Sequence, residues 1–143
     1  MANSHILIVD DDASLRLILT AHCSGRGFRC SMAEDGASAL SILERQPVDV
    51  VLTDLEMPGM DGIALLQEVR ERGMLSRCVV VTGYATVSNL TACLRQGAFA
   101  LVAKPLEDFA KLDQAVDQAL AQLQAWKMQM NDIVATRQQR SAM

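Results

Sequence analysis

Four short apolar runs rich in β-branched residues constrain what this chain can fold into: Ile6–Val9, Val48–Leu52, Val79–Val81 and Leu101–Ala103. They show little apolar–polar alternation, which is how strands covered on both faces read. A fifth run, Phe28-Arg29-Cys30-Ser31-Met32, alternates more and reads as an edge strand. Helical spacing fills the gaps. Leu15, Ile18, Leu19 and His22 follow Asp12 and Ser14, which can cap a helix start. Ala37, Leu40 and Leu43 follow Asp35-Gly36, and Ile63, Leu66 and Val69 follow Asp61-Gly62. Val87, Leu90 and Leu94 precede Gly97, a helix stop. A last helix starts near Leu106 and runs far toward the end.

Strand followed by helix, five times over, implies right-handed crossovers and a parallel sheet covered on both sides. The simplest five-stranded solution is a flavodoxin-like doubly wound α/β sheet of order 2-1-3-4-5 with five helices, the last extended. In such sheets ligands gather beyond the carboxyl ends of the strands, where the strand order reverses. The 143 residues suit one domain, and with aromatics at only 3% the core must be aliphatic. The net charge is −4 and the basic residues are scattered, apart from Arg137 and Arg140. That argues against direct nucleic-acid binding by this chain. No run has the apolar length of a membrane span, and the N-terminus lacks a signal-peptide pattern, so the expectation is a cytoplasmic protein without membrane contact. Cys23, Cys30, Cys78 and Cys93 form no C-x-x-C pair and read as buried or half-buried thiols in a reducing compartment. His5 and His22 are isolated and read as ordinary core or surface residues.

The strand ends carry the chemistry. The run at Ile6 ends in Asp10-Asp11-Asp12, that at Val48 in Thr53-Asp54, that at Val79 in Thr82-Gly83 and that at Leu101 in Lys104-Pro105. The expected strand order brings them to one pocket. Clustered carboxylates raise one another's pKa unless a positive charge intervenes. Hard oxygen ligands of this kind suit Mg²⁺, which binds through a few carboxylates plus water and phosphate oxygens. A lysine supplies a point charge for a phosphoryl oxygen or for Asp54, and a threonine hydroxyl adds a donor. Together these are the parts of phosphoryl transfer to an aspartate.

The same segments resemble the response-regulator receiver family. They are Ile6-Leu7-Ile8-Val9-Asp10-Asp11-Asp12, Asp54-Leu55-Glu56-Met57-Pro58-Gly59-Met60-Asp61-Gly62, Val81-Thr82-Gly83-Tyr84-Ala85, and Gly97-Ala98 leading to Lys104-Pro105. The resemblance spans about residues 4–122. It implies that Asp54 is the phosphoacceptor and that Asp10, Asp11, Asp54 and the backbone carbonyl of Glu56 hold Mg²⁺. It implies that Thr82 is the switch hydroxyl and that Lys104, joined to Pro105 by a cis bond, contacts the phosphoryl group. Asp12 reads as a helix cap. The implied partner is a sensor histidine kinase or phosphotransfer protein. The implied output is the surface of the fourth helix, fifth strand and fifth helix. The chain would assist its own phosphorylation and dephosphorylation without being an enzyme in the ordinary sense. Glu56 and Tyr84 would tune water access to the acceptor. The position three before the lysine, aromatic in much of the family, is Leu101 here.

Leu112, Val116, Ala119, Leu123, Trp126, Met130 and Ile133 form a heptad seam that runs past the expected domain edge. The division is a receiver domain over 1–123 and a helical extension or linker over 124–143. A helix over 107–137 would be ~46 Å long. Its first half faces the sheet. Its second half either frays or pairs, as a parallel homodimer or as a connector to an output domain. The tail from Arg137 to Met143 reads as a linker or free end. Two other functions are compatible with parts of the sequence. Asp10-Asp11-Asp12-Ala13-Ser14 can be read as the D-x-D-x-S of haloacid-dehalogenase-like phosphatases, with Asp10 as nucleophile. A receiver-like scaffold acting by dimerisation alone is the other.

Overall fold

The computed structural model describes residues 3–83 and 86–142. Five strands alternate with five helices: β1 His5–Val9, α1 Ala13–Gly25, β2 Arg29–Ala33, α2 Gly36–Arg45, β3 Val50–Thr53, α3 Gly62–Glu71, β4 Arg77–Thr82, α4 Val87–Arg95, β5 Ala100–Ala103 and α5 Ala110–Ala142. The strands form one parallel sheet of order β2-β1-β3-β4-β5. This is the flavodoxin-like arrangement expected from the run order. The run at Phe28 is an edge strand, as its alternation indicates.

Strand alternation sorts the core into two layers. Ile6, Ile8, Val50, Leu52, Val79 and Val81 face α1 and α5, where they meet Leu19, Cys23, Leu112, Val116 and Leu120. Leu7, Val9, Val51 and Val80 face the other helices and meet Leu40, Leu65, Leu66, Val69 and Cys93. The three central strands are therefore apolar at nearly every position, with β1 and β3 buried throughout. Among the described residues no helix is long and apolar enough to cross a membrane.

Side-chain caps place the helix starts. Asp12, Asp35, Asp61 and Thr86 each accept backbone N–H bonds at the N-termini of α1, α2, α3 and α4. Gly97, at φ +84°, follows α4 in the left-handed conformation that glycine adopts without penalty. The last helix begins at Ala110 rather than near Leu106, because the Asp108 carboxylate accepts the Ala110 N–H at 2.9 Å and starts the helix there. Among the described residues it stays helical to Ala142. From Ala110 to Ala142 there is no Gly or Pro to stop it.

Candidate functional site

Asp10, Asp54, Thr82 and Lys104 are each the last residue of a strand or the next one on, and the neighbouring strand pins the backbone there. Asp10 N–H donates to Ala33 O at 3.2 Å, Asp54 N–H to Val9 O at 3.1 Å, and Lys104 N–H to Thr82 O at 3.0 Å. Sheet order thus converts four separated segments into one cluster. One carboxylate oxygen from each of Asp10, Asp11 and Asp54 lies within 4.8 Å of the other two. Asp10 is buried and Asp11 exposed, so the cluster opens to solvent on one side.

Lys104 Nζ donates to Asp54 Oδ2 at 2.7 Å and to Asp10 Oδ2 at 3.0 Å. The remaining oxygens are held by backbone. Asp10 Oδ1 accepts the Asp12 N–H at 2.9 Å, and Asp54 Oδ1 accepts the Leu55 N–H at 2.6 Å and the Glu56 N–H at 3.4 Å. Burial pulls the Lys104 pKa down, but its bonds to Asp54 and Asp10 outweigh that, and the net shift is upward. Lys104 is therefore cationic at neutral pH. Three carboxylates against one ammonium leave a formal charge of −2. An acidic, oxygen-only donor set with that deficit matches a hard dication such as Mg²⁺, and the set offers no soft nitrogen or sulfur ligand.

Thr82 is buried at the end of β4, and the Lys104–Pro105 bond is cis. Asp12 caps α1, accepting from Ser14 and Leu15 N–H at 3.0 and 3.2 Å. Leu101 is half-buried against the core layer of α2, α3 and α4. Tyr84 lies outside the described residues. His5 is buried, with Nδ1 3.0 Å from Pro47 O and Nε2 2.7 Å from the Ser31 hydroxyl, a paired core histidine.

Two contributors escape a reading of motifs. Arg16 Nη1 donates to Asp10 O at 2.7 Å, bracing the acidic turn from α1. A cation in the opening turns of a helix opposes the dipole preference, and that was the available signal. Thr53 donates its hydroxyl to Asp54 O at 2.9 Å, a local bond that no spacing pattern announces.

A family model described as the response regulator receiver domain matches residues 6–117. Over 134 residues the chain is 33% identical to the DNA-binding transcriptional regulator NtrC of Escherichia coli K12, covering 92% of this chain and 29% of that protein. It thus spans under a third of the curated relatives it matches. A solved CheY-like receiver domain protein from Methanospirillum hungatei superposes with TM-score 0.80 at 27% identity, covering 86% of this chain and 98% of the other. The response regulator TrrA of Thermotoga maritima, solved in complex with Mg²⁺-BeF, superposes with TM-score 0.75 at 27% identity, covering 82% and 99%. On the family match, the sheet order and these likenesses, the chain belongs to the response regulator receiver domains of two-component systems.

Proposed function

We propose that the chain is a switch phosphorylated on Asp54 by a histidine-bound phosphoryl group, with Mg²⁺ held by Asp10, Asp11, Asp54 and the backbone carbonyl of Glu56. The observation that carries this is the joint bonding of Lys104 to Asp54 and Asp10 beside a third carboxylate. As the donor's phosphorus–nitrogen bond breaks, a bond forms from an Asp54 carboxylate oxygen to phosphorus, and the electron pair leaves on the imidazole. Lys104 sits where charge spreads over the transferring oxygens. A bound Mg²⁺ supplies the further positive charge such a transfer needs.

A groove of about 640 Å³ next to the site, lined by Leu15, Ile18, Lys104, Pro105, Leu106 and Phe109, suits the phosphodonor protein. Once formed, the acyl phosphate draws the Thr82 hydroxyl inward and shifts a pre-existing equilibrium. The α4–β5–α5 surface reports that shift, with Leu101 serving where an aromatic is common in the family. Glu56, exposed beside the acceptor, tunes water access and so the lifetime of the phosphoryl group. Beyond Leu123 the exposed stripe of Trp126, Met130 and Ile133 pairs with a second copy. The test is incorporation of label from acetyl phosphate. Wild type is expected to take it up only with Mg²⁺, and Asp54→Asn not at all. Uptake by Asp54→Asn at the wild-type level contradicts the assignment.

A further inference from the structure

We propose that Gly62 is a positioning residue for the phosphoryl acceptor: the missing side chain at the first position of α3 lets the Asp54–Leu55 peptide sit where it aims the Asp54 carboxylate at Lys104. The inference rests on the reading of Asp54 as the acceptor. A Cβ at Gly62 would stand 2.1 Å from Asp54 O, 2.8 Å from Leu55 Cα and 3.0 Å from Asp54 C. All three are backbone atoms, so no change of rotamer relieves the contact. The Gly62 N–H also donates to Leu55 O at 3.0 Å, holding the helix start against the same peptide.

Backbone freedom does not explain the glycine. Among the described residues positive φ is confined to Gly27, Gly59, Gly73 and Gly97, so alanine could adopt the Gly62 backbone. Alanine is also the better helix former, by about 1 kcal/mol. On propensity alone Gly62→Ala would be neutral or stabilising. Steric contact is what forbids it.

To reach an ordinary carbon–oxygen approach the contact must open by about an ångström. One side must move. Helix α3 is fastened by Leu65, Leu66 and Val69, all 4% exposed or less. Asp54 and Leu55 are the first residues beyond β3, where the chain enters a loop. Leu55 is itself buried and the Asp54 N–H is tied to Val9 O, but neither residue lies within a strand or helix, whereas α3 moves only as a whole turn of packed side chains. We take the strand end as the side that yields. Asp54 Oδ1 is bonded to the Leu55 N–H at 2.6 Å, so the carboxylate travels with the displaced peptide. The 2.7 Å bond from Lys104 to Asp54 Oδ2 does not survive such a shift, nor does the approach to Asp10 and Asp11.

The test compares wild type, Gly62→Ala and Gly25→Ala, whose added Cβ meets nothing within 4 Å. Mg²⁺ affinity is measured by calorimetry, and the maximal rate and apparent KM for acetyl phosphate by labelling. Gly62→Ala is expected to fold by circular dichroism yet lose about tenfold or more in Mg²⁺ affinity and in maximal rate, since an ångström of misplacement costs on that scale. Gly25→Ala is expected to match wild type. Wild-type affinity and rate in Gly62→Ala overturn the proposal. So does a Gly62→Ala chain that fails to fold, because α3 rather than the strand end would then have given way. If wild type binds Mg²⁺ without being labelled on Asp54, the acceptor reading fails separately, and the Mg²⁺ affinities alone decide the role of Gly62.

Discussion

Lys104 is one ammonium shared by two carboxylates, and the residue scale follows from that economy. Asp10 has almost no solvent to fall back on, so removing its partner leaves a buried charge unpaired. Lys104→Met is expected to cost about 2 kcal/mol in Mg²⁺-free buffer, with Mg²⁺ restoring much of the loss; urea denaturation with and without the ion checks both. The folded pKa of Lys104 lies above its ordinary 10.5. Its contribution to stability is therefore whole below pH 10.5 and fades as pH rises through the raised value. The cysteines act earlier. Burial pushes Cys23 and Cys78 from 9.0 up to about 12, and it raises Cys93 as well. Between pH 9 and 12 the unfolded chain releases thiol protons that the folded chain keeps, so stability falls as pH rises past 9. Cys78→Val is expected to flatten that fall, read from urea midpoints against pH. At neutral pH iodoacetamide is expected to reach half-buried Cys30 before the three buried thiols. Which residues meet at the site was legible from Asp10, Asp11, Asp54 and Lys104 standing at strand ends. Arg16 and Thr53 were not, because each acts through a backbone carbonyl and carries no motif.

At the scale of elements, α5 does two jobs along ~50 Å. Its first half closes one face of the sheet: Leu112 and Leu123 are 0% and 2% exposed, and His22 of α1 and Arg26 at its C-cap bond Asp113 and Asp117 across the seam. Its second half is exposed throughout its described side chains, with Ile133 at 68%. Leu112→Ala is thus expected to cost about 3 kcal/mol of domain stability and Ile133→Ala less than about 0.5, measured by chemical denaturation. Removal of residues after about 124 is expected to weaken self-association without unfolding the domain, read by light scattering. A monomer at high concentration before and after phosphorylation contradicts pairing through this helix. The heptad seam was visible in sequence, since the same spacing serves a sheet-facing stripe and a coiled-coil stripe. The start at Ala110 was not, since Leu106 and Phe109 carry helical spacing while Asp108 sets the boundary by a side-chain bond.

At the scale of the whole molecule, topology is the mechanism's first step. Asp10 and Lys104 are 94 residues apart in sequence, and only the order β2-β1-β3-β4-β5 brings them within 3.0 Å. That order was legible because buried parallel strands read as unbroken β-branched runs, whose carboxyl ends then converge at the switch point. The edge strand β2 was the weakest to read, having solvent on part of its length and hence polar residues within it. Topology alone does not separate the proposed acceptor reading from a phosphatase-like one, since Asp10 and Asp54 share one pocket; the position of the phosphoryl bond does. Borohydride reduction after acetyl phosphate treatment, followed by peptide mass spectrometry, converts an aspartyl phosphate to homoserine and marks the residue that held it. Homoserine is expected at position 54 and only with Mg²⁺; homoserine at position 10 or 11, or at 54 irrespective of Mg²⁺, would contradict phosphorylation of Asp54 at a Mg²⁺ site.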